Sequence, residues 1–155
     1  PGPLTFVGSG STAKLCTHIS GLNVSKVLIV TDKPLVELGI VAKASDVLKQ
    51  KGVEVILFDG VLPDPTLDLI EDGLAIQLKN NCDAVLAIGG GSSIDAAKTI
   101  AAAATNGGKS QKVVGYYKVK NAPIPLFAIP TTSGTDSEVT FGAVVSRKWG
   151  QVFDL

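Results

Sequence analysis

Three consecutive glycines, Gly89, Gly90 and Gly91, are followed by Ser92 and Ser93 and stand between an apolar run and an alanine-rich run, D-A-V-L-A-I-G-G-G-S-S-I-D-A-A-K-T-I-A-A-A-A from Asp83 to Ala104. The order predicts a buried strand (84–88), a glycine turn, and a helix that begins at Ser92 or Ser93. A helix start leaves backbone N–H groups unpaired and carries partial positive charge. Glycines let an anion come close to that backbone. The chemistry on offer is therefore phosphate binding. An ordinary strand-to-helix turn is the alternative, although three glycines exceed what such a turn needs. The loop is neither G-x-G-x-x-G nor a P-loop, since no G-K-[ST] follows.

Two other places carry polar groups of the same use. Asp32 follows the apolar run V-L-I-V at 27–30. A carboxylate at the tip of such a strand can read a ribose, or it can cap the helix that Pro34 introduces. Pro130-Thr-Thr-Ser-Gly-Thr-Asp-Ser-Glu-Val-Thr140 is a dense hydroxyl cluster after the apolar run that ends at Ile129. His18 reads as a surface or capping residue.

Elements that alternate must hold these groups. Strands are expected at 4–7, 26–30, 53–58, 84–88, 124–129 and 142–146. Pro125 lies inside the fifth and predicts that its start sits at a sheet edge. Gly8-Ser-Gly-Ser-Thr12 is a turn with Ser11 or Thr12 as N-cap, or a second anion contact, ahead of a helix over 13–19. Leu35, Leu38, Val41, Val47 and Leu48 mark one helix face reaching Lys51, with Gly39 inside it. Thr66 caps a helix whose stripe is Leu67, Ile70, Leu74 and Leu78, and Asn80 and Asn81 stop it. The small residues after the glycines predict a helix packed closely on the sheet. Residues 106–122 are polar and irregular, and Tyr116 and Tyr117 there are ligand contacts or simple packing. Strand–helix alternation argues for an α/β fold, a Rossmann-like parallel sheet with helices on both faces. In such sheets ligands bind at the carboxyl ends of strands. Asp32, the glycines and Thr131–Thr135 all follow strands, and together they suit a dinucleotide. The order is unusual, because here the acidic residue precedes the glycines.

Composition narrows the partners. The chain has 155 residues, 45% hydrophobic and 18% charged, which suits one globular domain with a real core. Fourteen basic residues balance 14 acidic ones, so no charge asymmetry points to nucleic acid or a membrane surface. No apolar stretch is of bilayer-spanning length and no targeting segment is visible, so a cytoplasmic setting is expected. Cys16 and Cys82 sit in apolar surroundings and read as buried free thiols, in keeping with a reducing compartment. One histidine and two cysteines do not make a tetrahedral zinc site.

Four segments in order, V-L-I-V-T-D-K (27–33), F-D-G-V-L-P-D-P-T (58–66), A-I-G-G-G-S-S-I-D-A-A-K (87–98) and I-P-T-T-S-G-T-D-S-E-V-T (129–140), resemble the iron-containing (group III) alcohol dehydrogenase family. The likeness covers nearly the whole chain. It implies the N-terminal dinucleotide-binding domain, of the dehydroquinate synthase-like kind, in an enzyme that moves hydride between an alcohol or aldehyde and NAD. By similarity Gly89, Gly90, Gly91, Ser92 and Asp95 would hold the pyrophosphate and nicotinamide side. Thr131, Thr132 and Thr135 would line the adenosine side, Asp64 the adenine end, and Asp32 would favour NAD over NADP. Asp136 stands where these enzymes usually have glycine or alanine, and either faces substrate or caps the loop. The family's iron, or zinc, is bound by one aspartate and three histidines in a following helical domain, a set this chain lacks. Residues 1–155 are thus expected to be an NAD-binding N-terminal domain cut at its C-terminal end, inactive alone and self-associating through its exposed edge or the full-length protein. A glycerol dehydrogenase, a dehydroquinate synthase-like enzyme on the same scaffold, or a non-catalytic nucleotide-binding module are the alternatives.

Overall fold

A computed structural model describes residues 4–7, 10–108, 121–133 and 139–145. The elements follow in chain order as β1 (Leu4–Val7), α1 (Ser11–Ser20), β2 (Lys26–Val30), α2 (Lys33–Glu37), α3 (Ile40–Gln50), β3 (Glu54–Phe58), α4 (Leu67–Asn80), β4 (Ala84–Gly89), α5 (Gly91–Thr105), β5 (Leu126–Ser133) and β6 (Val139–Val145). They build a six-stranded sheet in the order β1-β6-β5-β4-β2-β3. The strands β3, β2, β4 and β5 run parallel, as the alternation predicts. At the other side β6 pairs antiparallel with β5, and β1 pairs antiparallel with β6.

Alternation along the strands separates two cores. Val27 and Ile29 of β2 and Leu86 and Ile88 of β4 face a layer with Leu15, Ile19, Val41 and Leu48 from α1 and α3. Leu28, Val30, Val85 and Ala87 face α4 and α5 through Ile70, Leu74 and Ile100. Helices therefore cover both faces, and strands buried on both sides read as continuous apolar runs. Five alanines of α5 (96, 97, 101, 102 and 103) are fully buried. Across from α5, a Cβ added at Gly73 of α4 would lie 2.6 Å from Ile100 Cδ1 and 2.8 Å from Phe58 Cε2. The absence of a side chain at Gly73 is what lets α4 approach α5 and β3 so closely.

Several boundaries differ from expectation. Helix α1 starts at Ser11, with Gly10 as N-cap in the left-handed region (φ 80°) and no side-chain cap. Ser11 is buried inside the helix, so neither Ser11 nor Thr12 caps it. The expected helix over 35–51 is two helices. Gly39 (φ 78°) is the N-cap of α3, a conformation glycine adopts without a Cβ penalty, and it turns the chain between α2 and α3. The apolar spacing runs through that break, which hid it. Strand β5 begins at Leu126 and lies inside the sheet, not at its edge. Pro125 precedes the first registered pair, Val85↔Leu126, so its missing N–H falls outside the ladder, while its carbonyl accepts the Val85 N–H at 2.9 Å. Helix α5 begins at Gly91, ahead of the expected start at Ser92 or Ser93. Strand β6 begins at Val139, ahead of the expected Gly142.

At the amino ends of β2 and β4, Asp83 ties the two strands together. Its carboxylate accepts from Ser25 N–H (3.0 Å), Ser25 Oγ (2.9 Å) and Lys26 N–H (2.9 Å). Partial burial pushes the carboxyl pKa up. The Ser25 and Lys26 hydrogen bonds outweigh that and hold it below the usual aspartate range. The contribution to stability is thus complete above the ordinary aspartate pKa and fades as pH falls through the lowered value. Replacing Asp83 with Asn is expected to cost about 1 kcal/mol at neutral pH, because the carboxylate is exposed and screened. The difference from wild type should shrink as pH falls through the acid range in urea melts, and a pH-independent difference would deny the charge its part.

Candidate functional site

The chain reverses direction across the sheet between β2 and β4. From β2 it passes through α2 and α3 to β3 on one side, and from β4 through α5 to β5 on the other. Helix α3 packs on one face and α5 on the opposite face, so the loops after β2 and β4 part and leave a crevice. Ligands of open α/β sheets bind at such a switch point. A cleft of about 440 Å3 opens there, at the carboxyl ends of all four parallel strands.

Each wall comes from one strand tip. Asp32 follows β2. Its Oδ1 accepts the Leu35 N–H at 3.0 Å, so it is the N-cap of α2, and it also lines the cleft. The cap reading of Asp32 is thus observed, and the cap holds its carboxylate at the cleft. Gly90, Gly91, Ser92 and Ser93 follow β4 and line the cleft. Among the described residues, a Cβ at Gly90 or Gly91 would meet nothing within 4 Å, so none of them fills the space beside the start of α5. Gly89, at φ 147°, lies beneath, against Ser93. Thr131 near the end of β5 lines the remaining side.

Of the other expected residues, Asp64 and Asp95 are not among those that line the cleft. Asp95 is half-buried one turn into α5 and is not among the cleft-lining residues. Asp64 is exposed, at φ 50°, beyond the residues of its loop that reach the cleft. Thr132 is paired with Thr140 in the β5–β6 ladder. Thr135 and Asp136 lie outside the described residues, as do Tyr116 and Tyr117, and Gly8 and Ser9 of the first turn. His18 is partly exposed in the last turn of α1.

An apolar wall escaped the sequence reading. Pro34 and Leu38 of the α2 segment and Val61, Leu62 and Pro63 after β3 line the cleft. Leu38 is 66% and Leu62 63% exposed, unusual for leucines and concentrated at this mouth. The D-G-V-L-P-D-P-T segment held the signal, for a leucine flanked by turn residues has no helical or strand stripe to join. An isolated antiparallel bridge between Asp32 and Gly60 brings that loop beside β2.

Among the described residues, no group of three or more His, Cys, Asp or Glu side chains could hold a metal ion. No helix among them is long and apolar enough to cross a membrane. Cys16 and Cys82 are free and buried, and burial pushes their thiol pKa values up to about 12 and about 11.

A parallel sheet with a crevice at its switch point defines the class, a Rossmann-like α/β domain. Residues 3–152 match the family "Iron-containing alcohol dehydrogenase", and the chain belongs to that family. It is 40% identical to Alcohol dehydrogenase 4 of Schizosaccharomyces pombe over 141 residues, 91% of this chain and 33% of that protein. It is 35% identical to the NAD-dependent methanol dehydrogenase of Bacillus methanolicus, over 93% of this chain and 38% of that one. The crystal structure of a 1,3-propanediol oxidoreductase superposes with a TM-score of 0.77 at 34% identity, covering 93% of this chain and 40% of the other. The chain thus spans little more than a third of the length of the curated relatives it matches.

Proposed function

We propose that these 155 residues are the NAD-binding domain of a longer metal-dependent alcohol dehydrogenase, which transfers hydride between a small alcohol or aldehyde and NAD. The observation that carries this is the convergence, at one switch point, of Asp32, the opening amides of α5 and Thr131. Family membership and the NAD dependence named for the B. methanolicus relative support it. The N–H groups at Gly91 and Ser92 would receive the diphosphate, with α5 adding its N-terminal field. Asp32 would take the ribose hydroxyls and repel a 2′-phosphate. Leu38 and Leu62 offer flat apolar contact suited to a base. Thr132, Thr135, Asp64 and Asp95 would add contacts at the edges of the ligand, and Asp136 would turn toward substrate. When bound, the nicotinamide supplies the hydride chemistry, and this chain's residues bind and orient it. Iron or zinc would be held by other residues of the longer protein, which we infer to be a cytoplasmic homo-oligomer.

Titration of the whole protein with NAD and NADP tests the reading. NAD should bind at least ~10-fold more tightly, because a carboxylate beside a 2′-phosphate is repulsive. In Asp32→Asn the amide oxygen still caps α2, so stability should change by less than ~0.5 kcal/mol. The preference for NAD should collapse in that variant. A wild-type protein that prefers NADP would leave Asp32 a cap and nothing more.

A further inference from the structure

We propose that Thr31 is a positioning residue: its buried hydroxyl holds the Gly89–Gly91 turn in the shape that receives a diphosphate. This rests on the dinucleotide reading of the cleft and adds to it a residue that touches no ligand.

The parallel ladder between β2 and β4 has Val30↔Ala87 as its last registered pair. One residue further on, the strands part into the crevice. Thr31 is fully buried there, and its main chain is committed to the other neighbour. Its N–H donates to the Phe58 carbonyl at 2.9 Å, and its carbonyl accepts the Val61 N–H at 3.2 Å. Only the side chain is left to serve β4, and Thr31 Oγ1 donates to the Ile88 carbonyl at 2.7 Å. This bond closes the floor of the crevice where the backbone ladder no longer does.

The geometry explains why that carbonyl matters. The Ile88 C=O and the Gly89 N–H share one peptide plane, so fixing the carbonyl fixes the direction from which the turn departs. Gly89 then leaves that plane at φ 147°, with Ser93 directly above it. No Cβ at Gly89 biases the rotation; the ladder with β5, through Ile88↔Ile129 and Gly89↔Pro130, holds the turn on one side and leaves the β2 side to be held separately. Thr31 does this from β2, while its own backbone, anchored to β3 and its loop, keeps Asp32 in place independently. The hydroxyl therefore acts on the phosphate side of the cleft and not on the ribose side.

That division supplies the test. The whole protein is prepared as wild type, Thr31→Val and Thr31→Ser, and titrated with NAD, ADP-ribose and adenosine. Thr31→Val keeps the shape and removes the donor. NAD and ADP-ribose should bind about tenfold more weakly, because a turn released from the bond must be ordered again on binding, at a cost of about one hydrogen bond. The KM for NAD should rise in step while kcat stays within about twofold, since binding is weakened equally in ground and transition states. Adenosine, which carries no phosphate, should inhibit as in wild type, and Thr31→Ser should bind NAD within about twofold of wild type because the donor is restored. Should Thr31→Val fail to fold, Thr31→Cys, a weak donor of serine's size, is expected to lose NAD affinity relative to Thr31→Ser with adenosine unchanged. Equal NAD affinity in the donor-deleted and donor-retaining variants, or an equal loss for adenosine, overturns the proposal while leaving the dinucleotide reading intact. A wild-type protein that binds neither NAD nor ADP-ribose brings both down together.

Discussion

Gly90→Asp should leave the protein as stable as wild type, or slightly more so, while dinucleotide binding falls by at least ~100-fold. Gly90 is the N-cap of α5, at φ −85° and ψ −163°, with no side-chain cap. That conformation is open to any residue, and aspartate is among the best N-caps, worth about 0.5–1 kcal/mol over glycine with its charge beside the helix start. No described atom obstructs the new side chain, because the space around a Cβ there is empty. The same carboxylate would stand where the diphosphate is proposed to sit. Two like charges about 4 Å apart repel by ~4 kcal/mol at an effective dielectric of 20, which exceeds a hundredfold in affinity. The two effects have opposite signs, so unfolding and loss of binding cannot be confused. Thermal melts and NAD titration of the whole protein would read them side by side. Undiminished NAD affinity in a stable Gly90→Asp would move the diphosphate away from α5.

Gly89→Ala, one residue earlier, should do the reverse to stability. Its φ of 147° is one that L-residues rarely adopt, and a Cβ would lie 2.6 Å from Ser93 Oγ and 2.9 Å from Ser93 Cβ. Ser93 is buried at the start of α5, and its Cβ, unlike its hydroxyl, cannot move aside without the helix backbone. Strain and overpacking together should cost roughly 3 kcal/mol and lower the melting temperature by several degrees. NAD affinity should fall as well, because relief of the clash displaces the opening of α5. If Gly89→Ala melts with wild type, the turn is not held as described. Neighbouring glycines thus have different duties, Gly89 for its backbone and Gly90 for the room above it.

Much of this was legible in the chain. Lys26–Val30 is read to the residue, because a β-branched run there ends abruptly at Thr-Asp-Lys-Pro. Thr66 caps α4 through the Leu69 N–H, and Asn81 ends it in the left-handed region, as their residue types suggest. Asp32, the glycines and Thr131 could be grouped because each follows an apolar run, and strand tips in parallel sheets share one edge. Other features leave no local trace. Nothing in the alternation of β6 states its direction, so its antiparallel pairing was not expected. Gly39 reads as helical because Leu35, Leu38 and Val41 keep their spacing across it. Thr31 looks like one more β-branched residue at a strand end. Its partner, Ile88, is brought beside it only by two crossovers.

The outermost pairing has a consequence for how the molecule is made. Strand β1, near the start of the chain, finds its only described partner in β6, the last described strand, through Leu4↔Val145 to Val7↔Gly142. A ribosome therefore delivers β1 well before its mate, so this segment must wait unzipped while β2 to β5 emerge and assemble. Closing so long a loop is slow. Until it closes, β5 is a raw border open to other nascent chains. Pairing with β6 covers that border, and the interval before β6 emerges sets how long it stays sticky.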